Sequence, residues 1–290
     1  MRKLLLQFDA SPHPSAFDRI VALDAGADEV LSYGGVGEDA VRDLVYGAIF
    51  TRAPKDLRNT AIFIGGTDIA AAERLLAKVQ ETFFGPMRVS VMFDPNGSNT
   101  TAVAAAMKLQ RVAGDVSERR VVVVAGTGPV GMRAAGLLAR AGAAVTITSR
   151  REAAAAAAAD RIRQRFGGNV RAAAMADASH ASTILEGAEL LLSAGGAGVR
   201  LIPQPAWLGR AGLRAVADVN AVPPLGIEGV EVTDDGVERD GVKTFGALGV
   251  GGLKMKIHRA CIARLFERND AVLDAETIAA VGEELEPART

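Results

Sequence analysis

The chain has 290 residues, of which 49% are apolar and only 4% aromatic, and its formal net charge at pH 7 is −1. This length predicts two domains, and a near-neutral charge without long runs of one sign excludes charge-driven binding to nucleic acid or to a membrane. The single cysteine excludes an internal disulfide and a cysteine-based metal cluster, and the three scattered histidines give no pattern for a zinc site. No metal is therefore expected.

The first residues resemble the start of a signal peptide, because two basic residues precede Leu4, Leu5 and Leu6. This apolar run is too short for that role, and Gln7 and Asp9 interrupt it. No stretch approaches the length of a membrane-spanning helix. We expect a soluble, cytoplasmic protein.

Strand and helix patterns alternate four times in the first part of the chain. The predicted strands cover residues 4–8, 29–33, 60–64 and 89–93, and the predicted helices cover 15–25, 39–50, 68–84 and 100–113. This alternation is typical of a parallel α/β domain. Ser15, with Asp18 three residues later, is expected to cap the first helix.

Residues 119–151 have the pattern of a strand, a glycine turn, a helix and a second strand. Val121 to Val124 form a β-branched run, suited to a strand that is buried on both faces. The turn carries G-x-G-x-x-G, and its expected cofactor-binding residues are Gly126, Thr127, Gly128, Pro129, Val130 and Gly131. Gly126 would permit the tight turn, Gly128 would let a pyrophosphate approach the backbone, and Gly131 would let the helix lie close to the strand. The pattern predicts a Rossmann nucleotide-binding unit.

The end of the second strand indicates which nucleotide binds. An NAD site usually has Asp or Glu there, whereas this chain has Ser149, Arg150 and Arg151. A hydroxyl group and two guanidinium groups suit the 2′-phosphate of NADP. A structural alternative is that Ser149 and Glu152 form a capping box for the alanine-rich helix that follows, and both roles are compatible.

The remaining elements continue the α/β pattern. Strands are predicted at 170–174, 189–193 and 215–219, edge strands at 230–232 and 243–245 around a turn at 234–236, and helices at 181–185, 253–266 and 275–285. Ligands of parallel sheets bind beyond the carboxyl ends of strands. Ala194, Gly195 and Asn220 follow two of these strands and are expected to contact the cofactor.

Six segments of the chain resemble one known family. They are LQFDASPHPSAFD, AIFIGGTDIAA, DPNGSNTTA, VVVVAGTGPVGMRAA, DVNAVPPLGIEG and FGALGVGGLKMKIHRACIARLFE, in this order along nearly the whole chain. The family is the NADP-dependent methylenetetrahydromethanopterin dehydrogenase of methylotrophic bacteria, which is related to the methylenetetrahydrofolate dehydrogenases. The match is weaker at residues 10–14 and 236–243, which leaves the choice between pterin carriers open.

The resemblance implies a two-domain α/β protein with an interdomain cleft. Residues 1–114 would form an N-terminal substrate domain on which residues 253–290 pack, and residues 115–252 would form the Rossmann NADP-binding domain. The implied assembly is a homo-oligomer, either a trimer or a hexamer. The implied reaction is reversible hydride transfer between NADP and methylenetetrahydromethanopterin or methylenetetrahydrofolate. Phe17, Thr101, Lys254 and His258 stand where the family has its active-site residues.

Helical spacing supports one part of this assignment independently. Lys254 and His258 are four residues apart, so they lie within about 40° of each other on a helix, whereas Lys256 points about 200° away from each. The structural alternative is a solvated helix face. Two other functions remain open from the residues alone: an NADP-dependent dehydrogenase of another small substrate, such as a shikimate-type alcohol, and a non-catalytic NADP-binding regulator.

Overall fold

The computed structural model describes residues 1–285. Its strands are β1 (Leu4–Phe8), β2 (Glu29–Tyr33), β3 (Thr60–Ile64), β4 (Ser90–Phe93), β5 (Arg120–Val124), β6 (Ala144–Ser149), β7 (Asn169–Ala174), β8 (Leu190–Ser193), β9 (Ala215–Asp218), β10 (Asp235–Arg239), β11 (Val242–Phe245) and β12 (Val272–Leu273). Its α-helices are α1 (Ala16–Asp24), α2 (Glu38–Ile49), α3 (Ile69–Thr82), α4 (Ser98–Ala113), α5 (Pro129–Arg140), α6 (Glu152–Phe166), α7 (Ala181–Ile184), α8 (Ala247–Arg264) and α9 (Ala275–Leu285).

The described chain divides into two compact units. The first comprises Met1–Thr100 and Met255–Val281, and the second comprises Thr101–Lys254 and residues 282–285. All three limits fall inside helices, because α4, α8 and α9 contribute residues to each unit. The limits expected from the sequence lie elsewhere, at residue 114 just beyond α4 and at residue 252 within α8.

The first unit contains a five-stranded sheet in the order β12-β4-β3-β1-β2, with every pairing parallel. Its apolar strands are buried on both faces, as expected for a parallel sheet, and α2 and α3 contribute Val41, Ile49 and Leu75 to the core beside Phe8 and Phe93. The predicted parallel α/β domain is confirmed. The strand β12 was not predicted, since a two-residue strand has no periodicity.

Side-chain caps fix the starts of two helices in this unit. Ser15 Oγ accepts a hydrogen bond from the backbone N–H of Asp18 at 3.2 Å, which starts α1 at the expected place. Asp68 Oδ1 accepts one from the N–H of Ala71 at 3.0 Å and starts α3. Each cap satisfies a backbone donor that has no partner within the helix.

The second unit contains a seven-stranded sheet in the order β10-β11-β9-β8-β5-β6-β7. Read from the other edge and without β10, the order is β7-β6-β5-β8-β9-β11. If these six strands are renumbered from one in chain order, this is the order 3-2-1-4-5-6 of a Rossmann domain, and all of their pairings are parallel. Trp207 is fully buried in the core, and its indole N–H donates to the carbonyl of Glu228 at 2.8 Å. The predicted Rossmann unit is confirmed.

The predicted hairpin near the end of this unit is wrong in its position. The hairpin consists of β10 and β11, with its turn at Asp240 and Gly241, whose φ angles are +46° and +80°. An Asp-Gly pair with two positive φ angles is a favoured hairpin turn. Asp234 lies before β10, where its carboxylate accepts hydrogen bonds from Arg239 and Thr244. This tertiary network places Asp234 outside the turn.

Within the described residues, no helix is both long enough and apolar enough to cross a membrane.

Candidate functional site

The glycine turn between β5 and α5 is shaped by close packing at two of its glycines. A Cβ atom at Gly126 would lie 2.6 Å from Cγ1 of Ile147, and one at Gly131 would lie 2.6 Å from the Cα of Gly126. At Gly128 no atom of the described chain lies within 4 Å of that position. The turn therefore packs tightly at its base and stays open at Gly128, where a ligand could approach the backbone.

The tightness of the turn depends on its neighbours as well as on the glycines. Ala125 has a φ of +49°, whereas Gly126 is not among the residues with positive φ. Thr148 on β6 holds this conformation, because its Oγ1 accepts the N–H of Ala125 at 3.1 Å and its carbonyl accepts the N–H of Gly126 at 3.0 Å. Space, and not φ, is thus what requires glycine at position 126. Sequence reasoning did not identify Thr148.

The helix α5 starts directly at this open position. Its N-cap is Gly128, whose lack of a side chain leaves the first turn without a side-chain cap, and Pro129 occupies the first helical position. Thr127 and Val130 on either side are half-buried. The free N–H groups and the dipole of a helix start attract anions, so these residues fit the diphosphate of a dinucleotide.

The predicted 2′-phosphate site consists of the last residue of β6 and the two residues that follow it. Ser149 is half-buried, and Arg150 and Arg151 are exposed. In the described part of the chain no carboxylate forms an ion pair with either arginine. The capping-box alternative is wrong: α6 begins at Glu152 with Arg151 as N-cap and no side-chain cap, so Glu152 is the first helical residue and not the third.

The order of strands reverses between β5 and β8, and residues at their carboxyl ends meet there. The N–H of Ala194 donates to the carbonyl of Val124 at 3.1 Å, which joins the end of β8 to the glycine turn of β5. A Cβ atom at Gly195 would lie 2.6 Å from Cδ1 of Leu201. Switch points of this kind are where open α/β sheets bind ligands. Ala194 and Gly195 are therefore placed beside the predicted cofactor turn.

The loop after β9 is held by its own polar groups. The amide of Asn220 is engaged within the loop, since Oδ1 accepts the N–H of Val222 at 2.9 Å and Nδ2 donates to the carbonyl of Pro224 at 3.2 Å. Asp218, which sequence reasoning missed, is fully buried and accepts the N–H groups of Asn220 at 3.1 Å and Ile227 at 2.9 Å. Asn220 thus shapes the loop, and these two bonds use one of the two N–H donors and one of the two lone pairs of its amide.

Burial raises the pKa of the Asp218 carboxyl, and the hydrogen bonds from Asn220 and Ile227 offset this effect only in part. A perturbed carboxyl group at the carboxyl end of a Rossmann strand is typical of a functional region, although structural anchors also show this property. The Asp-x-Asn spacing after an apolar strand is the signal that could have identified it.

In the first unit, the structure brings Phe17 and His258 together. Their ring centroids are 6.4 Å apart and the rings are tilted by 60°. His258 is fully buried and stacks on Phe63 at 5.7 Å with an interplanar angle of 14°. Phe17 is 48% exposed. The pair therefore combines a buried imidazole with an aromatic ring that is open to a planar ligand.

The other two predicted active-site residues lie on the helices that cross the unit limits. Lys254 and His258 are on the same helix, α8, where Lys254 is half-buried and Lys256 is exposed. Thr101 is half-buried in the first turn of α4 and follows Thr100, whose hydroxyl bonds to Asp94. Lys254 and His258 are thus more buried than Lys256, as expected if the first two share one face of α8 and Lys256 lies on the other.

A Rossmann-ordered sheet with an open glycine turn at its switch point, in a chain with a second parallel α/β unit, is the organisation of a Rossmann-type dehydrogenase. Two proteins of Methylorubrum extorquens (strain AM1) are similar to this chain along its length. The "Bifunctional protein MdtA" is 50% identical over 98% of this chain and 99% of its own length. The "NAD(P)-dependent methylenetetrahydromethanopterin dehydrogenase" is 32% identical over 93% of each chain.

A family model described as "Methylene-tetrahydromethanopterin dehydrogenase, N-terminal" matches residues 16–96. The chain belongs to the methylenetetrahydromethanopterin dehydrogenase family, and it is an oxidoreductase of the Rossmann type. The resemblance deduced from the six sequence segments is confirmed.

Solved structures support the fold alone. The ligand-free 5-ketofructose reductase of Gluconobacter sp. strain CHM43 has a TM-score of 0.52 and 17% identity, over 98% of this chain and 99% of that one. The shikimate 5-dehydrogenase of Listeria monocytogenes, solved with shikimate and NAD, has a TM-score of 0.52 and 14% identity, over 97% and 96% of the chains. At such identities a shared fold does not transfer a substrate.

Proposed function

We propose that this protein is an NADP-dependent dehydrogenase that reversibly oxidises methylenetetrahydromethanopterin to its methenyl form in one-carbon metabolism. The observation that carries the proposal is the match along nearly the whole chain to a relative whose name states this activity. Methylenetetrahydrofolate is the second carrier to be tested. The first unit would hold the pterin and the second NADP, in the cytoplasm.

In this reaction, NADP when bound supplies the acceptor for the hydride. Gly126, Thr127, Gly128, Pro129, Val130 and Gly131 would hold its diphosphate, Ser149, Arg150 and Arg151 its 2′-phosphate, and the loops at Ala194, Gly195 and Asn220 would line its other end. The methylene carbon loses a hydride and becomes cationic, so no general base is required in this step. The protein must position the reactants and accommodate a growing positive charge.

The first unit, together with Thr101 at the start of the second, has residues suited to both tasks. Phe17 offers an exposed ring for stacking against the pterin, and Thr101 offers a hydroxyl group for hydrogen bonding. Three buried carboxyl groups occur in this unit, namely Asp9 after β1, Asp94 after β4 and Asp18 on α1. Negative charge of this kind stabilises a cationic product.

Lys254 has the opposite sign, and it requires its own explanation. A protonated amine beside the growing cation would oppose hydride transfer. Lys254 therefore acts either as a neutral amine, favoured by burial, or as an ammonium group whose charge a partner offsets. Its place one turn before His258 on α8 puts both residues on the face assigned to the substrate.

The deciding assay follows the nicotinamide absorbance with NADP and three substrates in parallel. We expect turnover with methylenetetrahydromethanopterin, slower or comparable turnover with methylenetetrahydrofolate, and none with shikimate. Turnover with shikimate alone would replace the proposal by the shikimate-type reaction. NADP binding without turnover of any substrate would support a regulator.

Nucleotide preference gives a first prediction. Arg150→Glu should weaken the binding of NADP by about 1–3 kcal/mol and that of NAD much less, because a charge-assisted contact to the 2′-phosphate is replaced by repulsion. Isothermal titration calorimetry with both nucleotides measures the difference. Arg161→Glu is the matched control, since it makes the same charge change on an exposed residue of α6 that is about 13 Å beyond the helix start. Equal losses for NADP and NAD would disprove this 2′-phosphate site.

Assembly gives a second prediction. The resemblance implies a homo-oligomer, and the first unit exposes an aromatic patch of Tyr46, Phe50 and Phe84, with ring centroids 5.1 and 6.0 Å apart. Exposed apolar clusters are typical of interaction surfaces. Light scattering should give three or six times the 30.0 kDa of one chain. A stable and active monomer would contradict this expectation.

A further inference from the structure

A fully buried carboxylate, Asp94, directly follows β4. Its Oδ1 accepts the N–H groups of Asn99 at 2.8 Å and Thr100 at 3.1 Å, and its Oδ2 accepts the hydroxyl of Thr100 at 2.6 Å. The side chain is completely inaccessible to solvent. These contacts hold the start of α4, because they satisfy backbone donors that have no partner within the helix.

The same carboxylate faces His258. Oδ2 of Asp94 lies 3.9 Å from Nδ1 of His258, and both side chains are fully buried. His258 is thus a basic side chain within ion-pair distance of Asp94. The contact is too long for a direct hydrogen bond, so the carboxylate acts on the imidazole electrostatically.

The charge of Asp94 also acts on a second side chain of α8, the thiol of Cys261. The Cys261 thiol lies three residues beyond His258 and is buried. Burial, and after it the negative charge of Asp94, raises the pKa of this thiol to about 12.

A test of Asp94 must distinguish its effect on the imidazole from the effects of other titratable groups nearby. The ring of Phe63, which stacks on His258, has Asp18 of α1 nearby: a Cβ atom at Gly65 would lie 3.0 Å from Cε1 of Phe63 and 3.4 Å from Oδ2 of Asp18. From α8 itself, the titratable groups within one turn of His258 are Lys254, Lys256, Arg259 and Cys261, of which Lys256 and Arg259 are exposed. Asp18 is the second carboxyl group to be tested.

We propose that Asp94 is a positioning residue that orients the ring of His258 and the proton on its Nδ1, and that through this ring it supports the exposed ring of Phe17. The arrangement explains why an imidazole without solvent access lies beside an aromatic ring that is half exposed. A carboxylate that fixes the proton of a histidine is a general device for setting its tautomer. The effect of Asp94 on turnover rests on the proposed function, whereas its effect on His258 does not.

Histidine NMR can test this directly, because the chain has three histidines and the other two, His13 and His180, are exposed. His258→Gln assigns the His258 signals, and nitrogen chemical shifts report which ring nitrogen carries the proton. In Asp94→Asn we expect the proton of the neutral ring to leave Nδ1, because the carboxylate that favours a proton on that nitrogen is gone. The signals of His13 and His180 should not move.

Thr100→Val is the matched control. It removes the hydrogen bond from the Thr100 hydroxyl to Asp94 but keeps the carboxylate. It therefore shows how far a weakened start of α4 affects His258 when the charge of Asp94 is still present. The His258 signals should stay at their wild-type values. If Asp94→Asn does not fold, Asp94→Ser replaces it, because a serine oxygen can still accept from the start of α4 without carrying charge.

Three results would overturn the proposal: an unchanged His258 signal in Asp94→Asn, an equal change in Thr100→Val, or a change in Asp18→Asn alone. If His258 moves as expected and the wild-type protein oxidises no methylene-pterin, then the proposed function fails and the positioning role stands. If the wild type turns over, Asp94→Asn should lower kcat by about tenfold and leave the Kd for NADP unchanged.

Discussion

Lys254→Ala should lower the rate of methylene-pterin oxidation by at least about tenfold, which corresponds to about 1.4 kcal/mol of transition-state stabilisation. The expectation rests on the half-buried position of Lys254 one turn before His258 on α8. Steady-state kinetics measure the rate. NADP affinity, measured separately by calorimetry, should change little, because the proposed diphosphate turn is at Gly126 to Gly131.

Lys256→Ala is the control for this experiment. Lys256 lies on the same helix and carries the same charge, but it is exposed and about 200° from Lys254 around the axis. Its replacement should leave both the rate and NADP affinity near their wild-type values. If Lys256→Ala is the damaging variant and Lys254→Ala the mild one, the assignment of this helix face to the substrate is wrong.

Two glycine substitutions in the β5–α5 turn should have opposite consequences. Gly128→Ala places a methyl group where the protein leaves space, so folding stability should fall by at most about 1 kcal/mol. The same methyl group would stand in the path of the diphosphate, and NADP should bind at least about tenfold more weakly. Calorimetry gives the affinity, and denaturant unfolding gives the stability.

Gly131→Ala is the counterpart. Its methyl group would lie 2.6 Å from the Cα of Gly126, so α5 must move away from β5 at a cost of about 1–3 kcal/mol in the free energy of unfolding. Fluorescence of Trp207, the single and fully buried tryptophan, reports unfolding of this unit. Wild-type NADP affinity in Gly128→Ala would show that the diphosphate does not approach the backbone there.

In the glycine turn between β5 and α5, the motif could be predicted from the sequence, but the reason for each glycine is visible only in the structure. The order of strand, glycines and helix could be predicted, because a β-branched run and three spaced glycines are local signals. The reason for each glycine could not, since Gly126 is required by Ile147 on the neighbouring strand and the positive φ belongs to Ala125. Those contacts come from β6, and residue spacing within the motif carries no information about them.

The helix α6 and the β10–β11 hairpin show where local patterns mislead. Ser149 and Glu152 have the spacing of a capping box, yet β6 extends through Ser149, so the helix starts too late for that cap. The turn chosen from the sequence contains Asp234, which the structure engages with Arg239 and Thr244. Strand pairing outweighs the local preference at the start of α6, and the Asp234–Arg239 ion pair outweighs it at the hairpin.

By itself, the sequence determined the alternation of strands and helices, the Rossmann motif, the family, and the common face of Lys254 and His258. These follow from periodicity, spacing and short motifs, which depend on residues close together in the chain. Only the tertiary structure decided the strand order with β12 and the meeting of Asp94, Phe63 and Phe17 around His258. These depend on pairing between segments remote in sequence, whose geometry is set by packing of the whole unit and not by the residues beside them.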